Sequence, residues 1–118
     1  MTILDDVKAL GAVLYQTGSS VICPDGVIHD IDYVVLSETN LQEGLIKLGF
    51  IRTTKEEYPM QQMPQFVAYR LNGLNLITTM DKELFARFKD ATEIAISRKL
   101  CNKADRITLF QKVLYDNG

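Results

Sequence analysis

The chain lacks most of the features that assign a sequence to a function class at sight. Two of its 118 residues are cysteine, Cys23 and Cys101, and one is histidine, so there is no ligand spacing for a zinc site. Both cysteines read as reduced thiols. No apolar run reaches the roughly 18 to 20 residues of a membrane span. The amino terminus, Met1-Thr2-Ile3-Leu4-Asp5-Asp6, is acidic and unlike a signal peptide, which predicts a cytoplasmic protein with no membrane contact. A cationic excess is missing too: 13 Lys and Arg against 15 Asp and Glu leave a formal charge of -2, and non-specific nucleic-acid binding is not expected. Repeats, low-complexity tracts and linkers are absent. What is present is 47% hydrophobic and 24% charged residues, the balance of a globular protein, over a length that fits one domain spanning 1–118.

Periodicity divides that length into elements. Ile3, Val7, Leu10 and Leu14 recur at helical spacing after Thr2 as N-cap, with Gly18 ending the helix. Val21–Cys23 and Val27–Leu36 read as strands joined through Pro24-Asp25-Gly26. Thr39 and Gln42 have capping-box spacing ahead of a helix carrying Leu41, Leu45 and Leu48 up to Gly49. A strand over Phe50–Thr54 precedes a surface loop over Lys55–Gln65, whose Met60 and Met63 are expected to fold back and be buried. Asn72-Gly73 supplies two residues tolerant of positive φ and predicts a hairpin of Phe66–Leu71 with Leu74–Thr79. Asp81 caps a long helix carrying Leu84, Phe88, Ala91 and Ala95, and Asn102 caps a last one carrying Ile107, Phe110 and Leu114. The expected fold is α+β, a mixed sheet of about five strands with helices packed against it.

The residues with chemistry in them are Gly18-Ser19-Ser20 and, with ten residues between Ser19 and Asp30, Asp30-Ile31-Asp32. Alternation along a strand turns Asp30 and Asp32 the same way, so both can converge on one divalent cation. Buried carboxylates on an apolar strand need a partner. In the hairpin, Arg70 falls opposite Asn75 on one face, while Val67, Tyr69, Leu71, Leu74 and Leu76 share the other. If that face is also the one bearing Asp30 and Asp32, the Arg70 guanidinium can act as a permanent cation where a second metal would sit. His29 faces away from Asp30 and reads as a packed or surface histidine; Lys103 and Arg106 read as ordinary solvated-helix patterning.

Thr17-Gly18-Ser19, the ten-residue gap and Asp30-Ile31-Asp32-Tyr33 resemble the motif of the nucleotidyltransferase superfamily that includes DNA polymerase beta and the minimal nucleotidyltransferases. The resemblance implies a nucleotidyltransferase-like domain in which Gly18, Ser19 and Ser20 face a nucleoside triphosphate. It implies that Asp30 and Asp32 hold magnesium or manganese, and that a third carboxylate on a later strand activates the attacking hydroxyl. In Gly73-Leu74-Asn75-Leu76-Ile77 the third position is Asn75, and an amide takes no proton at neutral pH. Where that family often has a basic residue shortly after Gly-Ser, this chain runs Ser20-Val21-Ile22-Cys23, and Thr17 stands where an apolar residue is usual.

The last third, from Leu76-Ile77-Thr78-Thr79 to Leu109-Phe110-Gln111, resembles small uncharacterised proteins of tailed phages and prophages, which implies the cytoplasm of a bacterial host. The expected function is binding of a nucleoside triphosphate with magnesium and transfer of a nucleoside monophosphate to a protein or nucleic-acid hydroxyl. Asp81 or the acceptor's own surroundings would then supply the base. The alternative is a catalytically lapsed accessory protein that uses the fold to engage a host protein or a second copy.

Overall fold

The computed structural model describes residues 2–24, 30–53 and 66–115. Among the described residues ten elements follow in chain order: α1 (Ile3–Lys8), β1 (Val13–Thr17), α2 (Ser19–Ile22), β2 (Ile31–Leu36), α3 (Gln42–Lys47), β3 (Ile51–Arg52), β4 (Val67–Leu71), β5 (Leu74–Thr79), α4 (Lys82–Arg98) and α5 (Lys103–Tyr115). The strands form one mixed sheet in the order β1-β2-β5-β4-β3, so the fold is α+β as expected. Among the described residues only the β2–β5 pair is parallel; β1–β2, β4–β5 and β3–β4 are antiparallel.

The hairpin stands where Asn72-Gly73 puts it. Asn72 at φ 48° and Gly73 at φ 81° make the turn, and Arg70 pairs with Asn75 and Leu71 with Leu74. Both sheet faces are core. Val35, Tyr69 and Leu76 pack with Val7 of α1 and Leu45 of α3 on one side. Val34, Ala68 and Ile77 pack with Ile22 of α2, Phe88 of α4 and Phe110 of α5 on the other, where the Phe88 ring meets those of Phe66 and Phe110 edge-on at 5.7 and 4.9 Å. Asp81 caps α4 with its side chain, and Asn102 Oδ1 accepts the N–H groups of Ala104 and Asp105 at 2.8 and 3.3 Å at the start of α5.

Several expectations are corrected. The first helix ends at Lys8, capped at its start by a Thr2–Asp5 capping box, and Val13–Thr17 is an edge strand. Leu10 and Leu14 keep helical spacing with Val7 by coincidence, whereas Val13-Leu14-Tyr15-Gln16-Thr17 is β-branched and aromatic and sends Leu14 and Tyr15 to opposite faces. Val21–Cys23 is no strand: Val21 and Ile22 donate to the Gly18 carbonyl at 3.2 and 3.0 Å, closing one helical turn. The Thr39–Gln42 box does not form, because Thr39 pairs with Ser37 and the Gln42 N–H goes to Asn40 Oδ1 at 2.9 Å. The strand expected over Phe50–Thr54 is reduced to Ile51–Arg52. The loop over Lys55–Gln65 with its methionines, the turn at Asp25-Gly26, and Val27, Ile28 and His29 lie outside the described residues. Cys23 and Cys101 are not thiols but a disulfide, with Cα atoms 5.3 Å apart, tying the end of α2 to the α4–α5 connection. Among the described residues no helix is long and apolar enough to cross a membrane.

Candidate functional site

One row of residues runs across the sheet at the N-terminal ends of β2 and β5. Register pairs Thr17 with Asp32, Asp32 with Asn75, and Asn75 with Arg70, so all four belong to the face covered by α4 and α5. Alternation along the chain places Arg70 with Asn75 on one face of the hairpin and Asp30 with Asp32 on one face of their strand, and leaves open whether those faces coincide. What it could not supply was the parallel pairing of β2 with β5, which sets Asp32 directly beside Asn75.

The contacts along the row are specific. Asn75, 4% exposed, donates from Nδ2 to Asp32 Oδ1 at 2.8 Å. The other side of the Asp32 carboxyl lies against Gly18. Gly18 sits at φ 77°, ψ -168°, a conformation essentially restricted to glycine, and a Cβ built there would stand 2.9 Å from Asp32 Cγ and closer still to Oδ2. The Gly-Ser turn and the carboxylate are therefore in van der Waals contact, and the turn can approach only because no side chain intervenes. Gly18 is the hinge from β1 into α2, not the end of a helix as expected from sequence.

Thr17 is the residue whose role sequence reasoning missed. It is 1% exposed, and its Oγ1 lies 2.7 Å from Oγ1 of Thr92 on α4. Thr92 donates to the Phe88 carbonyl at 2.8 Å, so Thr17 is the donor between the two hydroxyls. The signal was present: Thr92 interrupts an otherwise apolar helix stripe, four residues after Phe88, and a buried hydroxyl requires a partner.

The remaining candidates are placed less closely. Ser20 Oγ accepts from Gln16 Nε2 at 3.0 Å and donates to the Thr17 carbonyl, which fixes the turn from behind, and Ser19 is half-buried at the start of α2. Asp30 is exposed, one residue ahead of β2. Arg70 is exposed on β4 and has interactions of its own. Among the described residues no three His, Cys, Asp or Glu side chains form a ready-made metal cluster. Asp81 cannot replace the missing carboxylate: it follows the far end of β5, about 20 Å from Asn75 at strand rise, and its Oδ1 accepts the N–H groups of Glu83 and Leu84. Arg106 is spent on the carbonyls of Leu100 and Cys101 at 3.1 and 2.8 Å.

Comparison with known proteins adds no relative. No protein-family model matches the chain, and no curated protein or solved structure matches it significantly.

Proposed function

We propose that this protein is nucleotidyltransferase-like and binds a nucleoside triphosphate together with magnesium or manganese at the Gly18–Asp32 contact. The observation that carries the reading is that contact: a turn with no side chain at Gly18, able to approach phosphate oxygens through its backbone, abuts a carboxylate able to face the cation that accompanies them. Asn75, on the strand parallel and adjacent to the one bearing Asp32, holds the register position in which the resemblance implies a third carboxylate.

The donor set fits magnesium. This ion keeps several waters and is commonly held by one or two carboxylates plus the substrate's phosphates, so Asp32 and Asp30 suffice without a three-residue cluster. When bound, the cation would neutralise phosphate charge. The chain's own residues do the rest. Gly18 and Ser19 bear on the phosphates, Asn75 orients the Asp32 carboxylate through its amide, and Arg70 supplies a fixed positive charge one strand further along. Transfer of a nucleoside monophosphate to a protein or nucleic-acid hydroxyl would need its base from the acceptor side, because Asn75 accepts no proton.

A second reading is a phage-encoded accessory protein that keeps the fold without the reaction and engages a host protein or a second copy. It is favoured by the amide at position 75, which satisfies Asp32 inside the fold. A cytoplasmic location is part of the first reading, and in a reducing cytoplasm the Cys23–Cys101 pair would stand as thiols.

Calorimetric titration with each nucleoside triphosphate plus magnesium, beside an Asp30→Asn, Asp32→Asn double variant, separates the two. Binding to the wild type that disappears in the variant supports the nucleotide site. Absence of binding to the wild type rejects it in favour of the accessory reading.

A further inference from the structure

The Cys23–Cys101 bond joins two segments of unequal rigidity. Cys101 lies in the tight connection between α4 and α5, which is fixed from both sides. Lys99 closes α4 in the left-handed region at φ 52°, ψ 50°, Asn102 caps α5, and Arg106 donates to the Cys101 carbonyl at 2.8 Å.

Cys23 ends α2, a single turn of four residues. Its backbone bonds run from Val21 and Ile22 to the Gly18 carbonyl and from Cys23 to the Ser19 carbonyl at 2.9 Å. Its anchor in the core is Ile22, with Val21 at the margin. Ordering so short a turn costs conformational entropy of the same order as one buried isoleucine and these hydrogen bonds return, so the covalent tie decides whether the turn is held. At its start the turn hinges on Gly18, whereas Thr17 before it is locked into the ladder opposite Asp32 and onto Thr92. Release of α2 would stop at that hinge.

A second observation concerns the chemistry at the bond. Cys101 is exposed and Cys23 half-buried, so Cys101 is the side of the bond open to attack. Between positions 98 and 106 the chain carries Arg98, Lys99, Lys103 and Arg106 against one acidic residue, Asp105. Cationic surroundings draw an anionic thiolate in and favour the thiolate that exchange expels.

We propose that Cys101 is a thiol-exchange site for a small anionic thiol, and that exchange there switches α2 between a held and a released state. The small thiolate attacks Sγ of Cys101, forms a mixed disulfide and expels the Cys23 thiolate. A second small thiolate then attacks the small-molecule sulfur of that mixed disulfide and expels the Cys101 thiolate. Two small thiols are thereby oxidised to their disulfide, the protein bond is reduced by two electrons, and the protons the small thiols give up end on the two cysteines. The small-molecule disulfide reverses the sequence. The switch stands whether or not a nucleotide binds at Gly18 and Asp32.

Amide hydrogen exchange of the whole protein, followed by NMR before and after equilibration with reduced glutathione, tests the release. The Val21, Ile22 and Cys23 amides should lose at least about tenfold in protection on reduction, while those of Ala91, Thr92 and Ala95 in α4 stay protected. Peptide mapping with oxidised glutathione tests the site: the adduct should form at Cys101 in a Cys23→Ser variant about tenfold faster than at Cys23 in a Cys101→Ser variant. Lys103→Glu, which a helix N-terminus tolerates, should slow the reaction at Cys101 several-fold. Failure of glutathione to reduce the bond overturns the proposal, as does unchanged protection of α2 after reduction or loss of protection throughout α4. Equal rates at the two cysteines, or an unaltered rate in Lys103→Glu, overturn the assignment of Cys101 as the point of attack.

Discussion

Replacing Gly18 with alanine tests the contact on which the functional reading rests. Two costs add in the wild type. A side chain at φ 77°, ψ -168° carries a backbone strain of about 1–3 kcal/mol. The new Cβ also stands 2.9 Å from Asp32 Cγ and 3.0 Å from its Cβ, so the whole Asp32 side chain must move, not merely its tip. That displacement breaks the 2.8 Å bond from Asn75 and leaves a buried amide unsatisfied, at about 1–3 kcal/mol. In an Asp32→Ala background the second cost has already been incurred, and only the backbone strain remains. A double-mutant cycle, read by urea unfolding of the four proteins, should therefore give a coupling of about 1–3 kcal/mol between positions 18 and 32. Whatever else Asp32 touches is disturbed when its side chain moves and adds to the coupling. If Gly18→Ala costs the same in both backgrounds to within about 0.5 kcal/mol, the contact does not exist in solution and the nucleotide site loses its foundation.

Removal of the Cys23–Cys101 disulfide, which spans 78 residues of sequence, should lower unfolding free energy by up to about 4.5 kcal/mol on the loop-entropy model, measured by urea unfolding of the oxidised protein against a Cys23→Ser, Cys101→Ser variant. Equal stabilities would show that the bond does not form in the purified protein. Burial raises the phenols of Tyr15 and Tyr69 above their usual value, with the Glu93 and Asp90 charges adding to the effect on Tyr15. The unfolded chain therefore loses these protons first, so the stability they contribute is complete below about pH 10. It should fall as the pH rises further. Urea midpoints across that range should decline less steeply in a Tyr15→Phe, Tyr69→Phe double variant, and an unchanged slope would show that other groups set the alkaline limit.

Local chemistry made the C-terminal half readable. Asn72-Gly73 fixes a turn that few other dipeptides favour, and with it the register of Arg70 against Asn75; Asp81 and Asn102 announce their helices by occupying the cap positions. The N-terminal half misled because its signals are degenerate over short spans. Leu10 and Leu14 satisfy a helical period with Val7, while the same stretch satisfies a period of two, and only pairing with β2 decides between them. Val21-Ile22-Cys23 is too short to carry either period, and the Gly18 carbonyl, by accepting two N–H groups, turns it into a helix.

At the site, the residue types were legible and the neighbourhood was not. Asp32 and Asn75 lie 43 residues apart, and nothing local indicates that their strands are adjacent and parallel. Adjacency changes what Asn75 means. Read along the chain it is a missing proton acceptor; read across the sheet it is a donor that satisfies a half-buried carboxylate without any cation. An aspartate at that position would set two carboxylates side by side, and the sheet would then need a cation to hold them together. With asparagine the row folds complete, so cation and nucleotide are not required for the fold. Any binding they show at Gly18 and Asp32 would be a property added to a row that is already joined through Asn75.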